Sequence, residues 1–192
     1  MNEASPLQNI AEIKLGWPLR KAIEDVGDKG NSYLVQTGDI DGEPISEESL
    51  AQVMSPESAL PYEVLPGDIL LRLRGPVFRA SILTEQFSKP VIATNQIAII
   101  RVKDSSLDPF FLHWLLNSYS GQQYFSSQNE GTSIAKLNQK IVGQTPVWVP
   151  SSENQRDIGE TWENWLKQKA VYQELISVGD ELYDAICQRL HY

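Results

Sequence analysis

The 192-residue chain is 41% hydrophobic and carries a formal charge of −9, which allows one ordinary domain with an appendage and excludes a disordered polyelectrolyte. Its single cysteine excludes an internal disulfide framework, and with no signal peptide and no apolar run of about 18 residues we expect a cytoplasmic protein without a membrane partner. The charge is uneven: four bases face twelve acids over residues 1–63, eight face five over 64–140, and four face eight over 141–192, so only the middle is basic.

Along the chain, the opening residues read as a loose tail, after which Pro18 starts a short helix over Leu19 to Val26 that Gly27 to Asn31 end. Tyr33 to Gln36 reads as a strand, and Asp41-Gly42 as a turn. Asp39 and Asp41 suggest a calcium loop, but the third ligand and the bidentate glutamate are not where that loop needs them, so turn chemistry is the better account. Pro66-Gly67 makes a turn into a strand over Ile69 to Leu73, whose alternation puts Leu71 and Leu73 on one face and Arg72 and Arg74 on the other. Gln96 to Val102 is a second strand. Asp108 sits at an N-cap position and Pro109 in the first turn of a helix that runs to about Tyr119 and is apolar nearly all round, as a buried helix would be. Ser133 to Lys140 offers a helical turn, and Thr145 to Val149 a strand that Pro146 restricts to an edge or an end.

Prolines and glycines thin out at Pro150; beyond it only Gly159 and Gly179 remain. Ser151 or Ser152 with Gln155 provides a start signal for a helix from Asn154 to Leu190, roughly 55 Å long. Steps of four and three give Ile158, Trp162, Trp165, Lys169, Tyr172, Ile176, Gly179, Tyr183, Ile186 and Leu190, and eight of these ten are apolar or aromatic. An arm of this length with such a seam should meet another helix, the alternative being a fold back onto its own domain.

Catalytic signatures are missing. We find no glycine-rich phosphate loop, no nucleophile elbow and no paired cysteines, and the two histidines have no partner in sequence. His113, inside an apolar helix, reads as a satisfied core or interface residue, and Cys187 as a small packing residue. Asp108 to Phe111 comes near the Asp/Asn-Pro-Pro-aromatic motif of amino-methyltransferases but lacks the second proline, so it is read as a helix start. The five tryptophans read as core or interface packing. Lys136, Asn138, Gln139 and Lys140, with Thr132 and Ser133, form a polar cluster suited to phosphates and base edges, or simply to a solvated loop. We expect no catalytic residue, no metal and no cofactor.

The order of segments, a strand then GDIDG, PGDIL leading to arginines, NQIAIIR, PFFLHWLLNS, a GTS…PVWVP stretch and NQRDI opening a long helix, resembles the specificity subunit of type I restriction-modification systems from about Tyr33 to the end. Gly131 to Ile158 carries the resemblance most strongly, with Asn154 where the family has glutamate. The resemblance implies an α+β target-recognition domain of short strands and inserted helices over residues 1–150, followed by a coiled-coil-like helical arm over 151–192. It also implies half of the usual two-domain subunit, able to pair with a second copy through Ile158, Trp162, Trp165, Tyr172, Ile176, Tyr183, Ile186 and Leu190. Partners would be double-stranded DNA and an adenine methyltransferase that performs the chemistry, joined by a restriction subunit. Our candidates for phosphates are Arg72, Arg74, Arg79, Lys89, Lys136 and Lys140, and for base edges Asn138 and Gln139. The −9 charge keeps open a second reading, an acidic interaction or regulatory module that has this fold without DNA binding.

Overall fold

Short strands form two packed sheets, a largely buried helix and a half-exposed one lie against the first of them, and one long helix completes the chain. The computed structural model describes residues 4–19, 24–103, 105, 107–128 and 135–191. In chain order the elements are β1 (Ser5–Pro6), α1 (Leu7–Ile10), β2 (Ala11–Leu15), β3 (Ser32–Val35), β4 (Ala51–Val53), β5 (Glu63–Val64), β6 (Ile69–Arg72), β7 (Ala80–Ile82), β8 (Val91–Ala93) and β9 (Ile97–Val102). Then follow α2 (Pro109–Asn117), α3 (Tyr119–Ser127), α4 (Gln139–Gly143), β10 (Pro146–Val147) and α5 (Ser152–His191).

An antiparallel sheet of order β2-β9-β6-β7 backs onto a mixed sheet of order β4-β3-β8-β5, in which β3 and β8 run parallel. The apolar run of β9 is the wall between two cores. Ala98 and Ile100 join Ile69 and Leu71 in a core shared with α2 and α3, while Ile97 and Ile99 join Leu70 in a core shared with the second sheet. Both faces are buried, which is why the segment reads as continuous isoleucine rather than as strict alternation.

The N-terminal segment is not the loose tail its polar start suggests. β2 pairs with β9 over five residues, from Ala11 opposite Val102 to Leu15 opposite Ala98, and Leu7 is fully buried. Glu12 and Lys14 take its outer face and pair with each other. Gly16 then lets the chain cross to the second sheet, where a Cβ would lie 2.3 Å from the carbonyl oxygens of Ala93 and Thr94. The helix expected over Leu19 to Val26 falls partly on residues 20–23, outside the described residues; Glu24 to Val26 are not helical, and Gly27–Lys29 forms a single 3-10 turn.

α2 begins as its sequence suggests, with the Asp108 carboxylate accepting from Phe111 N–H at 2.8 Å and Pro109 in the first turn. It stops at Ser118, whose extended backbone closes α2 and whose hydroxyl accepts from Gly121 N–H to start α3, a helix the sequence reading did not separate. β10 pairs only with β1, the edge position that Pro146 permits.

α5 spans 40 residues, about 60 Å. Ser151 Oγ accepts from Asn154 N–H at 3.3 Å, so Ser151 is the cap. Gln155 does not close a capping box; it donates to Pro150 C=O and accepts from Asp108 N–H, tying the starts of α5 and α2 together. The first turns of α5 lie on α2 with Leu166 buried, whereas every residue from Ala170 to Leu190 is exposed. The helix therefore does both things its sequence allowed, docking on its own domain and then projecting. Among the described residues no helix is long and apolar enough to cross a membrane.

Candidate nucleic-acid interface

The connection from β6 to β7 is a hairpin tip with an apolar anchor and a cationic rim. Arg72 N–H donates to Arg79 C=O at 3.0 Å, and Gly75, at φ 123°, turns the chain between them. Phe78 points inward and meets Phe125 of α3 edge to face, with ring centroids 6.1 Å apart. Gln122 holds the Phe78 carbonyl at 2.6 Å, and the Asn117 carboxamide binds both the N–H and the C=O of Ala80. The two short helices thus fix the base of the hairpin, while Arg74, Val77 and Arg79 face solvent.

The segment before α4 lies alongside this tip. Leu137 N–H donates to Leu73 C=O at 2.9 Å, and Arg74 and Lys136 face each other across an antiparallel bridge. Four of the candidate cations, Arg72, Arg74, Arg79 and Lys136, are therefore brought to one end of the sheet. Arg72, Arg74, Arg79 and Lys140 form no ion pair among the described residues, in contrast to Lys14, Arg101, Lys167 and Lys169. The side chain of Arg72 curls over Gly75, and its buried Nε has no hydrogen-bond partner among the described residues. Lys140 sits on α4, which lies against β2.

Three other candidates take different places. Lys89 belongs to the far end of the second sheet, where it donates to Gln52 Oε1 at 2.5 Å and to Asp28 C=O and lies 6.0 Å from the centre of the Tyr33 ring. Asn138 Oδ1 accepts from Ile141 N–H at 2.9 Å and caps α4; Gln139 Nε2 donates to Ile13 C=O at 2.6 Å. Each carboxamide makes one hydrogen bond within the fold and keeps a further lone pair on its oxygen and at least one amino hydrogen for other partners. Thr132 and Ser133 lie outside the described residues. Asp39 and Asp41 accept from Gln36 N–H and Glu43 N–H, which is turn chemistry, and among the described residues no cluster of acids, histidines or cysteines could hold a metal.

α5 is secured by contacts that no sequence pattern announced. Trp162 Nε1 donates to His113 Nδ1 at 3.0 Å, and the other ring nitrogen lies 2.7 Å from Ala80 C=O. An indole N–H only donates, so Nδ1 is unprotonated and the proton is on Nε2. Burial lowers the His113 pKa to about 4 against weaker opposition from the Ala80 and Gly42 backbone and the Asp41 charge. This histidine is neutral and satisfied. Lys169, the polar break in the seam, forms an ion pair with Glu43. Gly159 makes room for the start of α2, since a Cβ there would lie 2.9 Å from Asp108 Oδ1; that glycine was the one legible sign of a close helix crossing. Ile158 and Trp162 are half-buried by this docking, whereas Trp165 is 48% exposed. Two adjoining cavities flank the contact, one of about 510 Å³ beside Trp148 and one of about 430 Å³ lined by Trp114, Ile158, Trp162 and Trp165.

Residues 6–176 match the family described as the type I restriction modification DNA specificity domain. No curated protein matches the sequence. Among solved structures, a chain from work on complex assembly and conformational transition of the type I R-M system superposes with a TM-score of 0.64 at 18% identity, over 93% of this chain and 41% of that one. The S subunit of a type I restriction-modification system from M. genitalium gives 0.62 at 15%, over 94% and 43%. The HsdS subunit from Thermoanaerobacter tengcongensis gives 0.57 at 17%, over 90% and 39%. The chain thus spans less than half the length of these proteins and shares the fold of one portion of each. With the specificity-domain model covering nearly all of the recognition-like domain and the docked part of α5, the chain belongs to the type I restriction modification DNA specificity domain family.

Proposed function

We propose that this chain is a sequence-specific DNA-recognition module that directs a partner adenine methyltransferase, and the restriction subunit associated with it, to a target in double-stranded DNA. The observation that carries this reading is the convergence of Arg72, Arg74, Arg79 and Lys136 on one supported hairpin end of an otherwise acidic molecule. Cations fixed by a scaffold, with Arg72, Arg74 and Arg79 in no ion pair among the described residues, are suited to phosphates, which set register and orientation. Arg74 and Arg79 lead the phosphate set, with Arg72, Lys136 and Lys140 beside them. Asn138 and Gln139, at the start of α4 beside the tip, are the candidates for base edges. Lys89 has a structural role.

The chain works as a cytoplasmic module in two parts, recognition over 1–150 and spacing over 151–192, and pairs with a second copy through the exposed stripe of α5 from Trp165 onward. Chemistry belongs to the methyltransferase, and this chain needs no cofactor. The test is binding to a randomised duplex library together with the neighbouring methyltransferase. Enrichment of one sequence supports the reading; enrichment of none, with the complex intact, overturns it. The second reading, an acidic interaction module, draws on residues 170–188, which carry four acids and no base. Under that reading, substitution of Arg72, Arg74, Lys136 and Lys140 leaves function intact.

A further inference from the structure

Val77 is an apolar side chain left in solvent among cations. It is 40% exposed at the tip of the β6–β7 hairpin, whereas its neighbour Phe78 is 2% exposed. A lone exposed valine is ordinary on a protein surface. This one stands on a loop that the fold holds out from both ends. Leu73, 4% exposed, turns inward, donates its N–H to Gln96 C=O at 2.9 Å and accepts from Leu137 N–H at 2.9 Å. Phe78 turns inward at the other end, with its carbonyl bound by Gln122. Between these anchors Arg74, Pro76 and Val77 are exposed. Gly75 at φ 123° makes a turn that L side chains rarely adopt, and the Pro76 ring fixes the next φ at about −65°. The backbone that presents Val77 therefore has little freedom.

Charge restricts what this tip can meet. Residues 69–84 carry Arg72, Arg74 and Arg79 and no acid, and Lys136 faces Arg74 across the antiparallel bridge. An apolar tip bracketed by cations matches a duplex groove, where phosphates line both borders and base edges form the floor. The major groove admits a two-stranded ribbon. Valine has no donor or acceptor in its side chain, so the hydrogen-bonding edges of guanine, cytosine and adenine offer it nothing. The apolar group that base edges present in that groove is the 5-methyl of thymine.

We infer that Val77 is a specificity-determining residue: the hairpin tip enters the major groove and the Val77 side chain packs on the 5-methyl group of a thymine, while Arg74 and Arg79 hold the phosphates on either side. The inference rests on the proposal that the chain is a DNA-recognition module and adds the base atom that one residue reads.

Deoxyuridine, which pairs as thymidine does and lacks only the methyl, is the probe. The preferred duplex is selected from the randomised library with the full chain and the neighbouring methyltransferase, and each of its thymines is then replaced in turn. Loss of the methyl at one position weakens binding about fourfold, the value of one buried methyl. Val77→Ala weakens binding to the unmodified duplex by a similar factor and makes the complex indifferent to deoxyuridine at that position. It leaves the slope of log affinity against log salt unchanged, since no phosphate contact is lost. Val77→Ile restores the discrimination. A preferred duplex without thymine, or affinity indifferent to deoxyuridine at every thymine, overturns the inference. Sensitivity that persists in Val77→Ala assigns the methyl to another residue and overturns it as well. Enrichment of no sequence overturns the recognition reading itself, and this inference with it.

Discussion

Trp162 on the long helix donates its indole N–H to Nδ1 of His113 at the centre of the domain, 3.0 Å away. The bond fixes the histidine tautomer, and that tautomer in turn holds Ala80 at the foot of the arginine-bearing hairpin. One buried ring therefore links the arm to the foot of that hairpin.

Because burial holds the His113 pKa at about 4 against an ordinary 6.5, the folded protein resists a proton that the unfolded chain accepts. The stabilising difference is fully present above pH 6.5, is lost as pH falls from there toward 4, and levels off below. Its full size is about 3 kcal/mol. Denaturant unfolding at a series of pH values should show this loss, and His113→Gln should flatten that part of the profile. A wild-type curve that is flat between pH 6.5 and 4.5 would refute the assignment.

The two tethers of α5 should differ in strength. Trp162→Phe keeps the ring and leaves His113 Nδ1 buried without a donor, at a cost of about 1–2 kcal/mol. Lys169→Ala removes an ion pair whose lysine is 41% exposed, and solvent screening keeps that loss below about 1 kcal/mol. Chemical denaturation of the two variants provides the comparison.

Gly159→Val should destabilise the docking of α5 on α2 by about 2 kcal/mol, since its side chain would meet Asp108 Oδ1, Phe110 Cβ and Phe111 N within 3.4 Å. Circular dichroism should show the projecting part of the helix retained while the melting temperature falls. An unchanged melting temperature would contradict the close crossing.

If the hairpin rim contacts phosphates, Arg74→Ala and Arg79→Ala should each weaken DNA binding by the methyltransferase complex across all sequences alike. Each should also reduce the slope of log affinity against log salt by about 0.9. Lys89→Ala, at the far end of the second sheet, should leave both unchanged. Salt titrations of the three variants decide between the surfaces.

Local chemistry was legible wherever it is decided within a few residues. Asp108 and Pro109 specified the start of α2, Pro146 a strand at an edge or an end, the Gln96 to Val102 run a core strand, and Ser151 or Ser152 the cap of the terminal helix, of which the structure uses Ser151. β2 escaped notice because an edge strand carrying Glu12 and Lys14 shows little hydrophobic contrast. α3 escaped because Ser118 ends one helix and caps the next with no proline or glycine to mark the joint.

What the sequence by itself determined is the order and type of the main elements, the family they belong to and the existence of a long apolar-seamed arm, since propensity, capping and periodicity act over short range. Only the tertiary structure decided which cations share a surface, because strand pairing set Arg74 against Lys136 and sent Lys89 to the opposite end. It likewise decided that the seam changes use along its length. Ile158 and Trp162 serve the chain's own domain, Lys169 closes that contact through Glu43, and the residues from 170 to 190 are exposed. Contacts between Glu43 and Lys169, or between His113 and Trp162, join positions far apart in the chain, and no local pattern encodes them.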